Sequence, residues 1–379
     1  MNKAIKYRIY PTKEQEILFL KTFGCCRKVW NLMLADKISY YQKEKKTLTT
    51  TPAKYKAEFA FLKEVDSLAL ANVQLNLQKA YNNCFDKKYK RNTGFPKFKS
   101  RKHCKKSYTT NNQKGSIAII DDKHIRLPKV GIVKAVIHRM PEPNWVLKST
   151  TISQDPDGKY YISVLFEYDK VIIPVPLSDN ALGLDYKSAS LYMDSNGNLG
   201  SNHKYYSESH KKLARAQRKL SKRYGSRKGE HPSNNYKKQQ LKVNKIHKKI
   251  ANQRLDNLHK TSTGIANQYD VVSAEDLDMR AMSNKGFGNG KATMDNGYGM
   301  FLNMLDYKLR DRGKYFVRID RWYPSSQICS HCGQVHKLSL NERIYRCECG
   351  LTIDRDLNAA INIRNEGLRI LKEQYQNVG

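Results

Sequence analysis

The chain has 379 residues with 69 Lys plus Arg against 35 Asp plus Glu, a formal charge of +34, which points to a polyanion and first of all to nucleic acid, because Lys and Arg on phosphates release counterions. Apolar residues and 24 Tyr recur with clear periodicity, so a disordered basic chain is excluded, and the length suits two or three domains. With no apolar run of signal-peptide type and none of spanning length, the expectation is a soluble, cytoplasmic, nucleoid-associated protein with no membrane partner and no small-molecule substrate.

In chain order, "KAIKYRIY" (residues 3–10) alternates as a strand does, and a long helix follows, with Thr12 and Gln15 spaced as a capping box. "SLALANVQLNLQKAYNNCFDKKYKR" steps its apolar residues by three and four, which predicts a second helix, and it runs into a basic, aromatic-studded loop, "NTGFPKFKSRKHCKKSYTTNN". From about 115 to 175 the period changes to two, and "QDPDGK" marks a hairpin, so a small antiparallel β domain is expected. The linker "VIIPVPLSDN" then opens a second half. There, "ALGLDYKSASLYMDSNG" reads as a buried strand, a second strand and a turn. Residues 205–260 read as a basic helical pair around the break "YGSRKGEHPSNN", with Leu241, Ile246, Ile250 and Leu258 as an apolar stripe. "YDVVSAEDLDM" is a short strand ending in acids, "MFLNMLDYKLRDRG" an amphipathic helix, "KYFVRIDRW" a strand and "LNAAINIRNEGLRIL" a last helix.

Eight cysteines without an export signal speak against a disulfide framework. Cys329 and Cys332 form a C-x2-C knuckle, and Cys347 and Cys349 a C-x-C pair, each beside a turn glycine, Gly333 or Gly350. Two close pairs of thiolates suit tetrahedral zinc. The second pair is one residue shorter than usual, and His331 and His336 are weaker alternatives. Cys25, Cys26, Cys84 and Cys104 read as core or surface thiols.

Three acids stand out. Asp185 lies in an apolar strand, Glu275 ends another, and Asp356 opens a helix. An acid at such a place is ordinarily a cap or a turn residue. A carboxylate inside a strand of Ala, Leu and Gly needs compensation, such as a cation. Converging, the three would hold two divalent metals for phosphodiester hydrolysis.

"GLDYKSASLYMDSNG", "VVSAEDLDM" and "SSQICSHCG…YRCECGLTIDRDLNAAINI" resemble the three RuvC motifs and zinc ribbon of the TnpB family, the OrfB-type proteins of insertion sequences that are ancestral to type V CRISPR effectors. The resemblance extends over nearly the whole chain. It implies an α+β multidomain fold. Residues 11–94 would be a helical recognition domain, and 1–10 with 95–178 an antiparallel, wedge-like β-barrel. Residues 179–324 with 351–379 would form an RNase H-like (RuvC) α/β nuclease domain, with 325–350 as the inserted zinc ribbon that binds target nucleic acid. The implied activity is RNA-guided, magnesium-dependent cleavage of double-stranded DNA beside a short flanking motif, with a guide RNA and the target DNA as partners. Carried over by position, Asp185, Glu275 and Asp356 are the catalytic, Mg2+-binding acids, and Cys329, Cys332, Cys347 and Cys349 hold Zn2+. Asp354, Asp276 and Asp278 are neighbours. Lys187, close after the first acid, departs from the pattern. Lys97, Lys99 and Arg101 are expected phosphate contacts, with Tyr108, Thr109 and Thr110 near the flanking motif.

Competing readings are a compact CRISPR effector derived from the same stock, a catalytically silent guided repressor, a strand-joining transposase and a zinc-ribbon RNA-binding protein. Loss of an acid would mark the repressor, and none is lost. The last leaves the three acids without a purpose.

Overall fold

The computed structural model describes residues 1–86, 94–224, 233–284, 286, 290–339 and 341–376. The basic run at 87–93 and most of the break expected between the two basic helices (225–232) lie outside them. The chain divides into two compact units, Met1–Lys170 and Val171–Gly379, parting at the proline-containing linker. No helix among the described residues is long and apolar enough to cross a membrane.

The first unit comprises β1 (Asn2–Tyr10), α1 (Lys13–Glu44), α2 (Ser67–Phe85), β2 (Lys106–Asn111), β3 (Ala118–Ile119), β4 (His124–Leu127), β5 (Gly131–Val136), β6 (Val146–Gln154) and β7 (Tyr160–Glu167). The strands make one antiparallel sheet in the order β2-β6-β7-β1-β5-β4-β3. Thr12 and Gln15 do form a capping box at the start of α1. Both helices share a single core with the sheet, in which Phe19, Met33 and Leu70 meet Tyr7, Ile152 and Ile162. Strand β2 lies in the stretch read from sequence as loop. Its alternation buries Tyr108 and Thr110, and the Thr110 hydroxyl donates to Asp66, whose other carboxylate oxygen caps α2 at Leu68.

The second unit comprises β8 (Ala181–Tyr186), β9 (Tyr192–Asp194), α3 (Tyr205–Lys222), α4 (Asn234–Gln268), β10 (Val271–Glu275), α5 (Met279–Met282), α6 (Gly290–Asn296), α7 (Tyr298–Arg310), β11 (Tyr315–Ile319), β12 (Ile344–Arg346), β13 (Thr352–Asp354) and α8 (Arg355–Gln376). A four-stranded sheet runs β11-β10-β8-β9, with β8, β10 and β11 parallel and β9 antiparallel. Because side chains alternate along a strand, the sheet has two faces. Leu182, Leu184, Val272 and Ala274 pack with Leu258 of α4 and with Phe301 and Leu305 of α7. Ala181, Val271 and Val317 pack with Leu371 of α8.

Polar groups lock the helices in place. Lys308 of α7, almost fully buried, donates to the His259 carbonyl and to the Ser262 and Thr263 hydroxyls of α4, each at 2.7 Å. Asp295 accepts from the backbone N–H groups of Tyr206 and Ser207 at the start of α3 and pairs with Arg254 at 3.0 Å. On α4 the expected stripe is shifted: Val243, Ile250, Leu258 and Ile265 are buried, while Leu241 is exposed.

Helix α8 presses closely onto the sheet at two glycines. A Cβ on Gly183 of β8 would lie 2.0 Å from the Ala360 carbonyl oxygen, and one on Gly367 of α8 would lie 1.9 Å from Ser273 Oγ. Gly183→Ala should therefore cost about 3 kcal/mol, the upper range of overpacking, and urea denaturation will read it as a lowered midpoint. Gly264 of α4, exposed with nothing within 4 Å of a Cβ, is the control, because Ala there should gain about 0.8 kcal/mol of helix propensity.

Candidate active site and metal centre

Strands β8 and β10 run side by side with Ala181 beside Val271 and Leu184 beside Ala274. The next residue on each is an acid, Asp185 and Glu275. Both follow the parity of Ala181 and Val271, so both face the α8 side of the sheet at the carboxyl ends of parallel strands. That is where open α/β sheets place their ligands. The third acid arrives from α8. Asp354 accepts hydrogen bonds from the N–H groups of Asp356 (2.8 Å) and Leu357 (3.1 Å), so it caps the helix and fixes Asp356 one residue inside the first turn.

The charges of these acids act on one another. The Asp185 carboxyl is held well above its ordinary range, first by burial and then by the negative charges of Glu275 and Asp356, against the opposing pull of Lys187 and Arg355. Glu275 is also raised by burial, offset by the Ser325 hydroxyl, which donates to its Oε1 at 2.7 Å. On Asp356, Lys187 Nζ lies 2.7 Å from Oδ2 and an Arg355 nitrogen 3.7 Å from Oδ1. Tyr298 packs on Tyr186 in a tilted pair, ring centres 4.9 Å apart. Its phenol, raised by burial and by Asp185 and Glu275, has no hydrogen-bond partner among the described residues. Three half-buried carboxylates, two of whose charges oppose ionisation of the third and one of which already carries an ammonium, have the chemistry of oxygen donors that a hard divalent cation would compensate. Asp276 instead pairs with Arg318 and Arg321, and Asp278 caps α5.

The four expected zinc ligands come together. Sγ atoms of Cys329, Cys332, Cys347 and Cys349 all lie within 4.8 Å of one another. The Cys329–Cys349 and Cys332–Cys347 pairs stand at 3.7 and 3.5 Å. A tetrahedron with zinc–sulfur bonds of about 2.3 Å has edges of about 3.8 Å, so the cluster fits zinc. The short second knuckle closes by a tighter turn. Gly350 N–H bonds the Cys347 carbonyl three residues back, whereas Gly333 N–H bonds Cys329 four residues back. Both glycines have positive φ, +91° and +80°. Burial opposes ionisation of Cys329, yet the N–H groups of Cys332 and His331, together with the Cys332 and Cys347 thiols, outweigh it and lower its thiol to about 6. His336 Nε2 approaches Cys347 Sγ at 3.5 Å, a neighbour of a set already complete with four sulfurs.

Sequence reasoning passed over the residues that join the two centres. Asn358 of α8 donates to the Ile328 carbonyl and accepts from Ser330 N–H, and Asn362 donates to the Ser325 and Ile328 carbonyls. Both are buried. Their signal was two asparagines four apart on an otherwise apolar helix face.

In the first unit, Lys97 and Arg101 are exposed. Lys99 is half-buried, its ammonium 3.5 Å from the Trp30 ring centre, and its backbone is pinned by Asn31. Burial lowers its pKa. It lines a cleft of about 470 Å³ with Arg27, Asn72 and Asn76. Tyr108 packs on Phe19 and Phe23 and lines the same cleft as Lys99, whereas Thr110, 1 % exposed, serves the core. Thr109 shares a hydrogen bond with Thr151 of β6.

Three family models match the chain: a "Helix-turn-helix domain" over residues 1–46, a "Probable transposase" over 162–285 and a "Cas12f1-like, TNB domain" over 298–363. Residues 1–46 hold β1 and α1. A Streptomyces pristinaespiralis protein named "Putative RNA-guided DNA endonuclease" is 35 % identical over 97 % of this chain and 90 % of its own. InsQ of Escherichia coli K12, similarly named, is 30 % identical over 97 % of this chain and 93 % of its own. Among solved structures, the Cas12f1 chain in a cryo-EM complex with guide RNA and target DNA shares the fold. It has a TM-score of 0.52 at 15 % identity, with 96 % of this chain and 98 % of that one covered.

Proposed function

Because the chain belongs to the TnpB family, the OrfB-type proteins of insertion sequences, we propose that it is an RNA-guided DNA endonuclease. It would pair a guide RNA with one strand of a double-stranded target beside a short flanking motif. The observation that supports the reading is that Asp185 and Glu275 end adjacent parallel strands and that the charges of Glu275 and Asp356 both reach Asp185. In this reading the second unit is an RNase H-like (RuvC) nuclease domain bearing a zinc ribbon, and the sheet of the first unit is the wedge barrel. Asp185, Glu275 and Asp356 would hold Mg2+, and Cys329, Cys332, Cys347 and Cys349 Zn2+. Bound Mg2+ supplies an activated water and neutralises charge on the leaving oxygen. The residues themselves prepare this. Ser325 fixes the rotamer of Glu275, the Asp354 cap fixes Asp356, and burial on the sheet keeps Asp185 out of bulk water. Lys97, Lys99 and Arg101, with the surplus of positive charge, support phosphate binding.

The test is cleavage of a plasmid library with randomised flanking bases, using protein co-expressed with the RNA of its own locus, beside Glu275→Gln. Cutting that requires both the RNA and Mg2+ and disappears in the variant is expected. If both proteins bind the guided target and neither cuts, the chain is a guided binder and the acids are not a working site.

A further inference from the structure

Lys187 follows β8 directly and shares the parity of Asp185, which aims it at α8. Its ammonium sits 2.7 Å from Asp356 Oδ2, while an Arg355 nitrogen stands farther off, 3.7 Å from Oδ1. Both ends of the pair are sheltered, with side chains 30 % and 16 % exposed, so the contact is screened far less than a surface pair. Asp356 therefore already has an ammonium bonded to one carboxylate oxygen and a guanidinium near the other. We propose that Lys187 is a built-in competitor for the divalent metal, a positioning residue whose ammonium must leave Asp356 before that carboxylate can ligate a cation, so that Lys187 sets the metal concentration the protein needs.

The physical reason is occupancy. One carboxylate oxygen cannot accept an ammonium at hydrogen-bond distance and ligate a metal along the same direction. The free energy of the pair is thus subtracted from metal binding. The flexible four-carbon stem lets the ammonium leave without moving the backbone. Phosphate oxygens of bound nucleic acid are an alternative partner for it, which would tie metal loading to substrate arrival.

This inference rests on the metal-binding role of the three acids, and its test keeps the two apart. Mn2+ binding to the full-length, zinc-loaded chain is titrated calorimetrically for wild type, Asp356→Ala, Lys187→Met, Lys187→Gln and Lys187→Arg. Met and Gln should bind Mn2+ about 3- to 10-fold more tightly than wild type, the equivalent of a half-buried ion pair. Arg should restore the wild-type value. The Mg2+ concentration for half-maximal guided cleavage should fall in parallel. Two different neutral replacements guard against one that fails to fold. If wild type binds Mn2+, Asp356→Ala loses it and both neutral variants bind no more tightly than wild type, the competitor role is overturned. A neutral variant that loses turnover at saturating Mg2+ with unchanged Mn2+ affinity also overturns it, in favour of a direct phosphate contact. If wild type and Asp356→Ala bind Mn2+ alike, the metal-binding role of the acids fails instead.

Discussion

Replacing Asp185 by Asn should abolish guided cleavage and, in the same molecule, raise the melting temperature of the Mg2+-free protein. The two effects share one cause. Asp185 is pressed into a site where burial and the charges of Glu275 and Asp356 all oppose its ionisation. A carboxyl whose folded-state value exceeds its unfolded one holds extra protons in the native state, so its ionisation removes stability as pH rises through that window. Asp185 and Glu275 both lie above their ordinary 3.8 and 4.5. Without Mg2+, wild-type stability contributed by this site is therefore greatest below the ordinary carboxylate range and declines as pH rises toward the raised values. Asn keeps the shape and removes the charge, so the decline should flatten, with a gain on the order of 1 kcal/mol at neutral pH. Thermal melts from pH 4 to 8 in Mg2+-free, zinc-replete buffer measure it. A variant that melts below wild type throughout that range would show that Asp185 is not strained.

Removing a zinc ligand should be the more destructive change. Cys329→Ala takes away the buried sulfur of the four, and structural zinc in small domains supplies roughly 10–16 kcal/mol of binding free energy that is also folding free energy. Zinc stoichiometry should fall from one per chain, the ribbon should become protease-sensitive, and cleavage should be lost with it. The coupling runs through named contacts. Segment 325–330 hangs on Asn358 and Asn362, and Ser325 orients Glu275. Asn362→Ala separates the two roles, since it should retain zinc while costing about 1–3 kcal/mol for the Ser325 carbonyl left unpaired and lowering cleavage. A Cys329→Ala protein that has lost its metal and still cuts at the wild-type rate would mean that the ribbon and the acids work independently.

Much of this site could be read from the chain because it is written in local pattern. The strand "ALGLD", the strand "VVSAE" and the helix after "DRD" are each identifiable by period, and the acids mark their ends. The cysteine spacing was similarly legible. What stayed hidden depends on partners distant in sequence. Strand β2 is hidden in the sequence because its basic surroundings mask a short alternation, which becomes visible only when Asp66 and Phe19 supply the inward side. Tyr108 and Thr110 moved from surface to core with it. Leu241 is exposed because the buried line of α4 follows the helices it actually meets, through Val243 and Ile250. The seat of Lys187 on Asp356 spans 169 positions, and only the fold brings its ends together.

The seam between α8 and the sheet has a mechanical consequence. Where Gly183 meets the Ala360 carbonyl and Gly367 meets the short Ser273 side chain, no long side chain stands between helix and strand, so there is little rotamer freedom to absorb a slip. A helix advanced by a single residue moves about 1.5 Å, enough to drive a carbonyl into a neighbouring main chain. The helix is thus a stator, bolted to the sheet. The backbone points from which Asp185, Glu275 and Asp356 project are set once at folding, and any on–off behaviour of the site is left to side chains and to the loops around it.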